Sequence, residues 1–306
     1  MGKSRTNTLL LGLCIVMLLW LGGYVSYIYL RRLNSPYTEN TFSGKGDHIV
    51  SKNRSYSKNK ENKSSSKVKK EKTSSFPKGL EIPAPCNREN SQLLGYENFQ
   101  LLYDTKQLIP IWVAYELTSG EVSPKNKKVS RSNNFRPDPR LGEHCATKED
   151  YKRSKYDRGH LAPAGDMAFS QTAMDECFYF TNIAPQNKSL NQGTWRVLEE
   201  DIRLWAKREK QLYITTGVVA SKRAKSIGKH KVAVPEYFYK VVLSVSGKEP
   251  KAIGFVFRNE KCEDKYAMHA VSVDSVESLT KLDFFYRLPD NVESKVERDF
   301  DISLWK

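Results

Sequence analysis

Hydrophobic and polar positions alternate in blocks along residues 76–306, and two kinds of block can be distinguished. Short apolar runs rich in β-branched and aromatic residues predict strands, and they cover Ile109–Leu117, Gln211–Val219, Tyr237–Val245 and Ala252–Arg258. Apolar residues at helical spacing predict helices, and these cover Gln171–Cys177, Asn191–Lys210, Val273–Leu282 and Val292–Asp299. Several strands mixed with few helices predict the α+β class.

An uncharged stretch near the start of the chain, Leu9 to Leu30, is long enough to cross a membrane. It has 22 residues, and at about 1.5 Å per residue such a helix spans the ~30 Å hydrocarbon core. Basic residues flank it, and three tyrosines near its end are typical of an interfacial aromatic belt. We predict a short tail over residues 1–8 and a transmembrane signal-anchor over residues 9–30. A cleaved signal peptide and N-myristoylation remain alternatives.

The next segment, residues 31–78, is rich in Lys, Ser and Asn, and we predict a flexible stalk because it has little apolar surface to bury. Residues 44–75 hold ten Lys or Arg against three acidic residues, and residues 1–43 contribute +3. This leaves +5 of the formal net charge of +15 for residues 76–306. The stalk is either a soluble spacer or a segment that holds polyanions or anionic lipid. Asn53 and Asn62 begin glycosylation sequons.

Residues 79–306 are predicted to form one domain large enough to bury a core. Its modest positive charge suits a polyanionic partner, although a basic solvated surface accounts for the charge equally well. Cys14 falls in the predicted span, and four cysteines remain, at 86, 145, 177 and 262. One disulfide and free buried thiols are equal alternatives for these four, and no spacing indicates a zinc site.

Two stretches contain the candidate catalytic and metal-binding residues. The first runs from Tyr156 to Met167 and contains Asp157-Arg158-Gly159-His160. The glycine permits close backbone approach to a ligand, and a histidine with a near-neutral pKa can accept a proton from water at pH 7. A structural histidine is the alternative. Arg158 is a candidate phosphate clamp, because a guanidinium binds phosphate oxygens bidentately.

The second stretch, Leu190 to Glu199, begins a predicted helix. Asn191 offers an amide oxygen, a hard ligand that suits Mg²⁺, but it is also well placed to be the N-cap of that helix. Glu199 lies eight residues later and projects within about 80° of it, so it can hold metal-bound waters. Arg203 follows four residues after Glu199 and can pair with Glu199 or with a phosphate.

These stretches together resemble the DNA/RNA non-specific endonuclease family, which includes Serratia-type nuclease and endonuclease G. The resemblance is carried by Asp157 to His160, by Leu190 to Trp195 and by Glu199, and it extends to Phe180–Gln186, Trp112–Tyr115, Phe135–Pro139, Thr215–Gly217 and Val234-Pro235. It covers about residues 95–290. It implies a ββα-metal core with a central antiparallel sheet flanked by helices.

The resemblance also implies a role for each matching residue. His160 matches the general base, and Asn191 matches the sole direct protein ligand of Mg²⁺ or Mn²⁺. Glu199 matches the residue that orients metal-bound waters, and Arg158 and Arg203 match arginines near the scissile phosphate.

Three further residues have looser counterparts. Asn182 matches an asparagine that supports the site, and we group it with the substrate-binding residues. Arg131 is our choice for a further family arginine, with Arg136 as the alternative. Asp157 is expected to brace the loop structurally.

The implied reaction is hydrolysis of DNA and RNA phosphodiester bonds to 5′-phosphate products, with no nucleotide cofactor. Non-specificity follows if contacts go to phosphates rather than to base edges. The short tail, and the danger of an active nuclease to cytosolic nucleic acid, favour a catalytic domain outside the cytosol. The alternative is a membrane-tethered receptor for nucleic-acid uptake with weak or incidental cleavage. A homodimer remains open.

Overall fold

A computed structural model describes residues 76–124 and 128–306. The predicted tail, the predicted span, all but the last residues of the predicted stalk and both sequons lie outside these ranges, so the bilayer contact and the location outside the cytosol stay predictions. Within the described ranges, no helix is long and apolar enough to cross a membrane.

Eleven strands occur in the described residues. They are β1 Ser91–Gly95, β2 Gln100–Asp104, β3 Ile109–Thr118, β4 Tyr156–His160, β5 Ile183–Asn187, β6 Gln211–Val219, β7 Ser226–Ile227, β8 Val232–Ala233, β9 Tyr237–Ser244, β10 Lys251–Arg258 and β11 Ala270–Val271. Seven form one sheet in the order β1-β2-β3-β6-β9-β10-β11, and every neighbouring pair in it is antiparallel. β4 pairs with β5, and β7 with β8. The predicted central antiparallel sheet of an α+β fold is confirmed.

Seven α-helices accompany the strands in the described part of the chain. They are α1 Ser119–Val122, α2 Lys148–Tyr151, α3 Gln171–Glu176, α4 Lys188–Gln192, α5 Thr194–Glu209, α6 Val273–Thr280 and α7 Asp290–Arg298. The four long strands and the helices at 171, 273 and 292 were predicted to within two residues at each end. The four cysteines outside the predicted span are all free thiols, which decides against a disulfide among them.

The prediction of one helix over Asn191–Lys210 is wrong, because the chain breaks it at Gly193. A Cβ at this position would lie 2.5 Å from the carbonyl oxygen of Ser189, whereas the glycine N–H donates to that oxygen at 2.9 Å. The turn separates α4 from α5. Gly193, and not Asn191, is therefore the N-cap of the long helix, and the capping alternative for Asn191 does not hold.

The sheet is covered on both faces, which explains why β3, β6, β9 and β10 are continuously apolar rather than alternating. On one face α5 packs through Trp195, Leu198 and Ile202 into a core shared with the β4–β5 pair. On the other face Val276 of α6 and Val296 of α7 enter a second core. The first layer carries the polar residues singled out in the sequence.

Candidate active site

The β4–β5 pair followed by α4 and α5 gives the order strand, strand, helix that the family resemblance predicts. His160 is the last residue of β4 and pairs with Ile183 of β5. Gly159, opposite Ala184, allows the strands to approach, because a Cβ there would lie 2.6 Å from the Cβ of Gln186. The close pairing of β4 with β5 fixes the backbone that carries Arg158 and His160.

His160 is almost enclosed, with 8% of its surface exposed. Its ring lies 5.3 Å from that of Phe135 and 4.8 Å, edge-on, from that of Phe178. Its Nε2 is buried without a hydrogen-bond partner among the described residues. Burial lowers its pKa to about 3, and the positive charges of Arg131 and Arg158 add to the effect. The imidazole is therefore neutral at pH 7 and able to accept a proton.

His160 is expected to make the free energy of unfolding fall as the pH drops below about 6.5. In that range His160 binds a proton in the unfolded chain, but in the folded chain it does not do so until the pH nears about 3. The contribution to stability is therefore present at higher pH and lost toward acid. Between about pH 6.5 and pH 5 the loss is about 2 kcal/mol, at ~1.4 kcal/mol per unit. Urea unfolding at both pH values should show His160→Asn losing about 2 kcal/mol less than the wild type. Equal losses would contradict this.

Two arginines stack on the aromatic rings around His160. The guanidinium of Arg158 lies 4.0 Å from the ring centre of Phe135, and that of Arg131 lies 4.9 Å from the ring centre of Phe178. Stacking leaves the edge of a guanidinium able to bind phosphate oxygens. The alternative residue, Arg136, donates instead to the carbonyl oxygens of Asn134 and Asp175. The structure thus favours Arg131 over Arg136 near the histidine.

Asn191 lies in α4, where its side chain is oriented by Asp157. The Asn191 Nδ2 donates to Asp157 Oδ2 at 2.9 Å, and the Gln192 Nε2 donates to the same oxygen at 2.8 Å. Asp157 therefore ties β4 to α4, as expected of a residue that braces the site. Because the Asn191 amide nitrogen is engaged, its amide oxygen is the atom presented to other ligands.

A second polar group lies inside the first core, around Glu199 of α5. Arg203 Nη1 donates to the buried Asp166 Oδ1 at 2.9 Å, and the hydroxyl of Tyr115 donates to Asp166 Oδ2 at 2.8 Å. Of the two alternatives given for Arg203, a pair with Glu199 or with a phosphate, the first is replaced by an ion pair with Asp166. Burial raises the pKa of Glu199, and the nearby charge of Lys240 opposes that shift.

Lys240 of β9 was missed by the sequence analysis. It is fully buried, its Nζ donates to Thr216 Oγ1, and it lies 5.2 Å from the ring centre of Trp195. Burial lowers its pKa, while the negative charges of Glu199 and Asp166 oppose that shift. One signal was available, because a lysine interrupts the otherwise apolar run of β9.

Asn182 is not placed to contact a substrate, which corrects its assignment as a substrate-binding residue. It is fully buried. Its Nδ2 donates to the carbonyl oxygens of Ala162 and Cys177, and its Oδ1 accepts the N–H of Ala162. Both polar atoms of the amide are thus engaged, and they connect the segment that follows His160 with Cys177 at the end of α3.

An open cleft of about 700 Å³ runs beside these groups and is the natural place for a substrate. It is lined by Arg131, Phe135, Asp157, Arg158 and Asn191, with Lys148 and Lys152 at its margin. A separate cavity of about 600 Å³ between Arg88, Lys106 and Lys222 contains none of the predicted site residues. Cationic groups and Asn191 therefore line one cleft, together with Phe135, whose ring packs against His160.

The site also fits a divalent cation. A hard cation such as Mg²⁺ prefers oxygen ligands and keeps several of its waters. The oriented amide oxygen of Asn191 supplies one such ligand, and the carboxylate of Asp157 lies beside it.

Known proteins of one family are similar to this chain. A model of the DNA/RNA non-specific endonuclease family matches residues 81–291. The chain is similar to mitochondrial nuclease EXOG of Mus musculus, with 34% identity over 211 residues, 63% of this chain and 56% of the relative. It is similar to mitochondrial endonuclease G of Homo sapiens, with 32% identity over 63% of this chain and 69% of the relative. The chain spans little more than half the length of the EXOG relatives.

Two further proteins are similar to this chain over most of their own length. Nuclease C1 of Cunninghamella echinulata var. echinulata is 31% identical over 64% of this chain and 83% of its own. A crystal structure of the EndoG/EndoGI complex aligns with a TM-score of 0.61 and 30% identity, covering 65% of this chain and 88% of that chain.

Proposed function

The chain belongs to the DNA/RNA non-specific endonuclease family, and we propose that it is a metal-dependent nuclease that hydrolyses phosphodiester bonds of DNA and RNA. The observation that carries the proposal is the neutral, enclosed imidazole of His160 beside two stacked arginines and the oriented amide of Asn191. A phosphodiester needs a proton acceptor on one side and neutralisation of its charge on the other. His160 offers the first, and the arginines stacked on the rings around it offer the second.

In this proposal His160 removes a proton from the attacking water. Its low pKa keeps it neutral, and the positive charges of Arg131 and Arg158 that lower the pKa are offset when a phosphate binds between them. The imidazole then becomes a stronger base at the moment when substrate is present, because a nearby negative charge favours its protonated form.

The remaining residues bind and orient. Arg158 and Arg131 hold phosphate oxygens, and Arg203, fixed by Asp166, adds positive charge deeper in the site. The amide oxygen of Asn191 would hold Mg²⁺ or Mn²⁺, and Glu199 would orient the waters around the metal. When bound, the metal neutralises charge on the phosphate and on the departing 3′ oxygen. The products carry 5′-phosphate and 3′-hydroxyl ends.

The absence of sequence preference follows from the same groups. The cationic and aromatic side chains of the cleft offer contacts to phosphate and sugar, which carry no sequence information directly. A substrate held in this way can be DNA or RNA. Its affinity should fall steeply with salt, because phosphate neutralisation releases counterions.

Asn191→Ala tests the metal role in this proposal. We expect the full-length variant to lose cleavage of plasmid DNA by at least about 100-fold, the range for a lost catalytic group, with a raised requirement for Mg²⁺. Gln192→Ala is the matched control, since Gln192 donates to the same Asp157 oxygen but has no proposed metal contact. An Asn191→Ala enzyme with unchanged Mg²⁺ dependence would contradict the assignment. Retained binding without cleavage by the wild type would instead favour the tethered receptor.

A further inference from the structure

Five carboxylates gather between α6 and α7, in a layer that the proposed nuclease site does not use. Asp274 and Glu277 belong to α6, Asp283 lies in the connection, and Glu293 and Glu297 belong to α7. We refer to these five residues as the carboxylate cluster. α6 and α7 pack on the sheet through the second core, whereas His160, Asn191 and Glu199 border the first.

The carboxylate cluster has the dimensions of a cation site. Carboxylate oxygens of Asp274, Glu277 and Glu297 lie within 4.8 Å of one another. Those of Asp283, Glu293 and Glu297 form a second group with the same limit. Calcium binds oxygens at about 2.3–2.6 Å, so two ligands on opposite sides of one ion are about 5 Å apart. Glu297 belongs to both groups and is the natural shared ligand.

Glu297 is unusual because it is buried among other acids. Only 6% of its surface is exposed, and its Oε1 has no hydrogen-bond partner among the described residues. Burial, followed by the negative charges of Glu277, Glu293, Asp283 and Asp274, raises its pKa to about 10. A buried acid without a partner is costly, and a bound cation would replace its proton and supply a positive charge beside it.

Basic residues of α7 do not supply that charge. Lys295 pairs with Glu249, and Arg298 pairs with Asp299 at 3.0 Å. In addition, Glu293 and Glu297 are four residues apart on one helix, where like charges destabilise the helix. A divalent cation bound by Glu297 would offset this repulsion.

We propose that the carboxylate cluster is a calcium site that fastens α7 to α6, with Glu297 as its central ligand. Carboxylate-only coordination from several side chains suits Ca²⁺, which accepts six to eight oxygens in flexible geometry, better than Mg²⁺, which keeps most of its waters. The site is independent of the metal proposed at Asn191. Its expected consequence is a C-terminal region that unfolds at higher temperature when calcium is present.

The test is calcium titration of the full-length, metal-stripped protein by calorimetry, with thermal unfolding followed in parallel. We expect wild type to bind at least one Ca²⁺ per chain and to unfold at a higher temperature with Ca²⁺, since a ligand that binds only the folded state stabilises it. Glu297→Gln should weaken binding at least about tenfold, the loss of one carboxylate ligand, and abolish the thermal shift. Glu143→Gln, at an exposed position in the Gly142–His144 turn, is the matched control.

Asn191→Ala separates this site from the proposed active-site metal, because it should keep the full calcium response. Calcium-free Glu297→Gln should be at least as stable as the wild type, since the substitution removes an uncompensated buried acid, so a lost response is not a folding failure. The proposal is overturned if wild type does not bind Ca²⁺, if Glu297→Gln binds it equally well, or if Mg²⁺ at the same concentration gives an equal thermal shift.

Discussion

Replacement of His160 by alanine is expected to lower the rate of phosphodiester cleavage by about 10²–10⁴-fold, the usual contribution of a general base. The physical reason is that His160 is the neutral imidazole packed against Phe135 and Phe178, the two rings on which Arg158 and Arg131 stack. Binding of nucleic acid should persist, because the cationic side chains that hold phosphate are unchanged. Initial rates on a fluorescent DNA duplex, with binding measured in calcium-free, metal-stripped buffer, give both quantities.

His144→Ala is the matched control for this prediction, because His144 is exposed in the Gly142–His144 turn and borders no proposed catalytic group. It should retain wild-type cleavage. His160→Asn separates chemistry from packing, since it keeps a polar side chain between Phe135 and Phe178 but cannot act as the base. A His160→Asn enzyme as active as the wild type would mean that water is activated elsewhere.

Lys240→Met is expected to lower the free energy of unfolding by about 3–5 kcal/mol, the cost of removing one partner from a buried charged group. Methionine matches the lysine stem in size, so the loss comes from charge rather than from a cavity. Without Lys240 the two acids Glu199 and Asp166 share the single guanidinium of Arg203. Urea unfolding of the full-length proteins measures the effect.

The double variant Lys240→Met with Glu199→Gln tests the origin of that loss. Removing the acid as well should recover a large part of the stability, because the buried charge left without its partner is then gone. Lys229→Met is the control at an exposed position and should change stability by less than about 0.5 kcal/mol. If the double variant is no more stable than Lys240→Met, the coupling between Lys240 and Glu199 is absent.

Strands β3, β6, β9 and β10 were predictable because they are buried on both faces and therefore appear as unbroken apolar runs. The shorter strands β1, β2 and β11 of the same sheet were not predicted. β4 and β5 were not predicted either, since Tyr156–His160 has almost no apolar pattern and becomes a strand only through its register with Ile183–Asn187. The break between α4 and α5 also depends on tertiary context. A glycine inside a helical pattern is often tolerated, and only the contact of Gly193 with Ser189 shows why this one is not.

Within the site, residue types were easier to predict than residue partners. The motif placed His160, Arg158 and Asn191 on neighbouring elements, and the structure lines one cleft with Arg158 and Asn191 beside the histidine. The sequence could not show that Arg203 pairs with Asp166, because helical spacing reveals only neighbours on the same helix. The sequence also contained no sign of the partner of Lys240, because Thr216 lies on the adjacent strand and 24 positions away in the chain.

The most direct test of the proposed function is incubation of the full-length protein with supercoiled plasmid and Mg²⁺, with and without EDTA. The account predicts nicked and then linear DNA with Mg²⁺, none with EDTA, and ends that a ligase can join because they carry 5′-phosphate. Uncleaved plasmid despite measurable binding, cleavage that EDTA does not affect, or ends that require phosphorylation before ligation would contradict it.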